Sequence, residues 1–122
     1  MARAHYIHYA EVLCQAQLAE DPTAIVEAMA PFIEELSKDL YRKHKSVIIQ
    51  GSGGYSVTPE DIAQEFWLRF LRKWTSIPPY SGAIYQNVRW IARHLVEKWY
   101  KKSAHSVAIS TNFYDKRKAV ID

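Results

Sequence analysis

The sequence predicts an all-α fold, one small helical bundle, on three observations. Apolar residues recur at helical spacing along most of the chain, and the periodic segments stop at proline or glycine. The one short run that could pass for a strand, Val47–Gln50, has no evident partner strand. At 122 residues, with 48% apolar residues, the chain is long enough for one core and too short for two domains.

Each element has its own signature. Residues from about Tyr6 to Ala19 set Ile7, Ala10, Val12, Leu13, Ala16 and Leu18 at mostly helical intervals, ending at Glu20-Asp21-Pro22. Asp21 or Thr23 then caps a second helix through Ile25, Met29, Ile33 and Leu36, with a break or kink expected at Pro31. A third segment, about Ser37 to Gln50, carries Leu40, Tyr41, Val47, Ile48 and Ile49. Gly51-Ser52-Gly53-Gly54 reads as a flexible turn; it lacks the GK[ST] ending of a phosphate-binding loop.

Thr58-Pro59-Glu60-Asp61 is a strong helix start. Threonine caps, proline suits the first helical position, and two acids meet the positive end of the helix dipole. That helix is expected to run to Trp74, with Ile62, Ala63, Phe66, Trp67, Phe70, Leu71 and Trp74 on one half of the wheel. Asp61, Gln64, Glu65, Arg69 and Arg72 occupy the other half, and Leu68 sits among them as a partner-binding anchor or a merely exposed leucine. After Pro78, Pro79 and Gly82, a long helix resumes from Ala83 to about Lys102, its core stripe made of Ile84, Val88, Ile91, Leu95 and Trp99. The opposite arc holds Gln86, Arg89, Trp90, Arg93, Glu97, Tyr100 and Lys101, with Asn87, His94 and Lys98 at one margin. A tryptophan on a basic arc either stacks on an unstacked base or lies under another helix.

Charge and composition narrow the classes of function. Residues 1–38 hold two basic and six acidic residues, a balance of −4, whereas residues 39–122 hold fourteen and seven, a balance of +7. A basic C-terminal part fits a polyanionic partner. Cys14 is the sole cysteine, so no internal disulfide and no cysteine-based zinc site is possible, and a reducing cytoplasm suits it. No apolar run approaches the roughly 20 residues of a membrane span, and residues 1–8 lack a signal peptide's apolar stretch. His5 and His8 have no obvious third ligand, and His44, His94 and His105 show no carboxylate geometry of a catalytic kind. The expectation is a protein without catalytic site, metal or cofactor.

Taken in order, three segments resemble region 2 of bacterial and phage sigma factors, especially the compact extracytoplasmic-function type. LYRKHKSVI (40–48) is similar to the family's region 2.1 helix, EDIAQEFWLRFLRKW (60–74) to its region 2.2 signature, and IYQNVRWIARHLVEKWYKK (84–102) to its regions 2.3 and 2.4. Asp61-Ile62-Ala63-Gln64-Glu65 is the most specific piece. The likeness divides the single domain into an acidic helical extension (1–38), a region 2-like part (39–103) and a polar tail (104–122).

The resemblance implies a role and a set of contacts. Asp61, Gln64, Glu65, Leu68 and Arg72 become candidates for docking on the clamp coiled coil of the large subunit of core RNA polymerase. Tyr85, Asn87, Arg89, Trp90, Arg93, His94, Lys98, Lys101 and Lys102 become candidates for recognising and melting the minus-ten element of promoter DNA, in the cytoplasm of a bacterial cell or of one infected by phage. The Ser76–Gly82 loop corresponds to the one that selects a flipped base. The chain departs from the family in two places. Asn87 stands where the family usually has a wedging tryptophan, with Trp90 one turn later, and nothing after Ser103 reads as the helix-turn-helix of region 4. Either the sequence is a fragment of a longer protein, or a separate subunit carrying region 4 is an expected partner. The competing readings are a polymerase-binding regulator that does not melt DNA and a free-standing helical DNA-binding protein.

Overall fold

The computed structural model describes the backbone of residues 2–51 and 57–121 and the side chains of 5–51 and 57–104. Most of the glycine turn and the side chains of the basic stretch 115–118 lie outside the described residues. All described secondary structure is helical: α1 (Ala2–Ala19), α2 (Thr23–Gly51), α3 (Pro59–Leu71), a single 3-10 turn at Trp74–Ser76, and α4 (Ser81–Ile121).

α1 ends where its sequence says it should. Glu20 takes a left-handed conformation (φ 56°), and the N–H groups of Glu20 and Asp21 turn back to the carbonyls of Gln17 and Ala16 at 3.2 and 3.1 Å. Those bonds satisfy acceptors that the helix end would otherwise leave open. The Asp21 carboxylate supplies the cap of α2, accepting from the Thr23 N–H and hydroxyl at 3.0 and 2.7 Å. Both bonds hold its pKa below the usual carboxylate range.

The break expected at Pro31 is absent. α2 runs through it, joining the second and third expected segments, and the non-helical residue is His44 instead (φ −121°, ψ 21°). Pro31 is exposed, so water can satisfy the carbonyl that its missing N–H leaves free. At His44 the ring packs against Trp99 and Tyr100 of α4, with centroids 6.4 and 5.8 Å away. That contact comes from a distant segment. Residues 47–50 are helical, as preferred over the strand reading.

α3 opens on a full capping box. The Thr58 hydroxyl accepts from the Asp61 N–H at 3.3 Å, while the Thr58 N–H donates to the Asp61 carboxylate at 2.9 Å. Thr58→Ala should therefore lower unfolding free energy by about 1 kcal/mol, measurable by urea denaturation. The helix stops at Leu71, three residues before the expected Trp74, which falls in the 3-10 turn. Leu71, the last residue of the helix, points away from the Ile62, Phe66 and Phe70 stripe and lies exposed rather than in the core.

Ile62, Phe66 and Phe70 of α3 and Ile84, Val88, Ile91, Leu95 and Trp99 of α4 are buried in one cluster, as the two periodic stripes predict. α2 is nevertheless the central element, packing on α1, α3 and α4, and the α3–α4 contact is less extensive than either of theirs with α2. The acidic first 38 residues are not an appendage, because Tyr6, Leu13, Ile25, Met29 and Ile33 belong to the same core. Past Lys102 the backbone of α4 continues to Ile121, so the expected tail is a continuation of the helix.

Candidate nucleic-acid interface

The long helix starts where its constrained connection ends. Pro78 and Pro79 cannot donate backbone bonds, and the carbonyl of Tyr80 accepts from Ala83 and Ile84 at 3.1 and 3.2 Å, opening α4. With Ala83, Ile84, Val88, Ile91, Leu95 and Trp99 buried, helical spacing turns Tyr85, Arg89, Trp90, Arg93, Tyr100, Lys101 and Lys102 to solvent. Asn87, His94 and Lys98 are half-buried at the margin. The arcs read from sequence are those observed.

Trp90 is the centre of this face. It is 50% exposed, the His94 ring lies against it with a centroid separation of 3.8 Å, and the Lys73 ammonium sits 3.9 Å over its ring. Burial, with the nearby Arg69 charge second, pushes the Lys73 pKa down. Trp90 borders two shallow depressions. One, of about 270 Å³, is lined by Lys73, Gln86, Asn87 and Trp90. The other, of about 660 Å³, is lined by Gly82, Tyr85, Gln86, Arg89, Trp90 and Arg93. No carboxylate lines either one. An aromatic face beside cations and side-chain amides can stack a base, hold a phosphate and hydrogen-bond a base edge.

The other candidates differ in how free they are. Arg89 donates to the Tyr85 hydroxyl at 3.2 Å, which orients both on the surface. Arg93 pairs with Glu97 at 3.3 Å, an exposed contact that a phosphate can replace. The Asn87 amide donates to the Ala83 carbonyl at 2.8 Å, leaving its oxygen and its second N–H available. The buried Nδ1 of His94 makes no hydrogen bond and lies 3.8 Å from the Glu97 carboxylate. Lys98 is the exception to an open face, because its ammonium is bound to Glu65 of α3.

That ion pair also changes the picture of α3. Asp61, Gln64, Leu68 and Arg72 share its solvent face, and Leu68 is 60% exposed. Glu65 was expected among them but turns toward α4 and is only a third exposed at its side chain. The two candidate sets therefore meet at Glu65–Lys98. The Asp61 carboxylate is engaged in the helix cap. Lys73 is the residue that sequence reasoning missed: a helix running to Trp74 leaves no reason to fold it over Trp90, whereas the observed turn after Leu71 does. Periodicity carries no signal for it.

Fold and surface together define an all-α protein that presents one basic, aromatic helix face. Among the described residues no helix is long and apolar enough to cross a membrane. No protein-family model, no curated protein and no solved structure matches the chain.

Proposed function

We propose that this chain is a sigma-like transcription initiation subunit that docks on core RNA polymerase and engages the minus-ten element of promoter DNA. The observation that carries the reading is the half-exposed Trp90 set among Lys73, Tyr85, Arg89 and Arg93 on the outer face of α4. The sequence likeness to sigma region 2 joins that face to a polymerase-docking face on α3, where Leu68 stands out from polar neighbours.

The energetics favour a subunit over a lone binder. Stacking one base contributes roughly 1–3 kcal/mol, and a few phosphate contacts add attraction that salt weakens. One helix face of this kind holds DNA weakly, so a larger protein must supply affinity and position. The region 4 function, carried by a further part of a longer chain or by a second subunit, would complete upstream recognition. A polymerase-binding regulator that does not melt DNA is the second reading, favoured by Asn87, whose amide is tied to its own helix where the family has a wedge.

The docking face is tested with purified core polymerase in a pull-down or by light scattering. Leu68→Asp should reduce binding by tenfold or more, roughly what loss of a buried apolar anchor removes, with an unchanged circular dichroism spectrum. Glu65 is a poorer choice for this test, since reversing its charge would also oppose Lys98. Full-affinity binding by Leu68→Asp would show that another surface docks.

A further inference from the structure

Lys73 covers the ring on which a base would stack. Its ammonium sits 3.9 Å over the Trp90 ring, and a stacked aromatic ring lies about 3.5–4 Å from the plane beneath it. The two therefore compete for one layer. His94 also lies against Trp90, but it belongs to the same helix and is half-buried, with its Nδ1 enclosed. Lys73 is the cover that is free to leave.

The backbone around Lys73 is held on both sides. Its N–H donates to the carbonyl of fully buried Phe70 at 3.1 Å, and its carbonyl accepts from the Ser76 N–H and hydroxyl at 3.0 and 2.9 Å. Gln17 of α1 donates from Nε2 to the carbonyls of Trp74 and Ile77 at 2.9 and 2.7 Å, tying down the connection that follows. Movement is thus confined to the flexible four-carbon side chain.

The ammonium is weakly held where it lies. Among the described residues it forms no ion pair with a carboxylate. Burial and, second, the Arg69 charge both disfavour its charged form. Against these stands one cation–π contact, a preference of about two- to fivefold, whereas a stacked base contributes roughly 5- to 150-fold. An unpaired nucleotide replaces both partners, with its base for the ring and its phosphate for the ammonium. Gln86 and Asn87, which line the same depression, offer amides to the edge of that base.

We infer, on the base-stacking reading of Trp90, that Lys73 is a displaceable cover: it lies on the ring in the free protein, gives way to an unpaired base, and then holds that nucleotide's phosphate. Duplex DNA offers the phosphate without the base, so it leaves the cover in place.

The test follows the Lys73 ε-methylene in NMR spectra of the full chain. The Trp90 ring current should hold its resonance upfield in the free protein, and Trp90→Ala should abolish that shift. Single-stranded oligothymidylate of about eight nucleotides should return the resonance to the ordinary lysine position. Lys73→Ala separates the cover from the phosphate contact. It should strengthen binding of an oligothymidylate with neutral methylphosphonate linkages about two- to fivefold, because the ring is uncovered. At low salt it should weaken binding of the ordinary oligomer, and the slope of log affinity against log salt should become shallower by about 0.7. Oligomer binding that shifts residues 85–93 while the Lys73 methylene stays upfield would overturn the cover and leave base stacking intact. Unchanged binding of the neutral oligomer by Lys73→Ala would do the same. Absence of any shift at residues 85–93 would instead overturn the base-stacking reading, and the cover with it.

Discussion

Phe70→Ala should lower the unfolding free energy by about 3–5 kcal/mol, a large share of what a domain of this size possesses. Phe70 is fully buried, stacked on Phe66 at a centroid distance of 6.0 Å and met edge-on by Trp67 at 5.6 Å. Removing the ring takes away its transfer free energy and leaves a cavity between aromatic neighbours that cannot all close in. The midpoint of urea unfolding should fall with little change in the denaturant slope. A loss under about 1 kcal/mol would mean that the site tolerates a smaller side chain, contrary to the packing described.

Trp90→Ala should weaken binding to single-stranded DNA by roughly 5- to 150-fold while changing duplex binding much less, because stacking is open only to unpaired bases. The tryptophan is half-exposed and contributes little to the core, so stability should hardly move. Arg93→Ala should act differently. A phosphate contact exists before and after strand separation, so both forms of DNA should bind less well, and the slope of log affinity against log salt should become shallower by about one unit. Equal single-strand binding by wild type and Trp90→Ala would leave the tryptophan as packing for Lys73 and His94 and would favour the regulator that does not melt DNA.

What could be read from sequence was what local chemistry governs. The all-α class, the end of α1, the capped start at Thr58 and the buried stripe Ile84–Trp99 follow from spacing and capping residues alone. So does the exposed arc around Trp90. The features that escaped depend on contacts between distant segments. Pro31 is a breaker by rule, but solvent on its side of α2 tolerates the lost bond, while His44 yields where α4 lies against it. The early end of α3 brought Lys73 onto Trp90. Glu65 and Lys98, placed by pattern in different candidate sites, neutralise each other across the α3–α4 interface. A helical wheel shows which way a side chain points from its own axis, not what stands opposite.

The central claim is that this chain lets RNA polymerase open promoter DNA, and permanganate reactivity of unpaired thymines tests it most directly. Core polymerase would be mixed with a pool of supercoiled promoter DNA, with and without the protein. Thymines near the start site should become reactive only when the protein is present, and Trp90→Ala should reduce that reactivity far more than it reduces initial association with the DNA. Wild-type protein that binds core polymerase and leaves every promoter unreactive would contradict the claim.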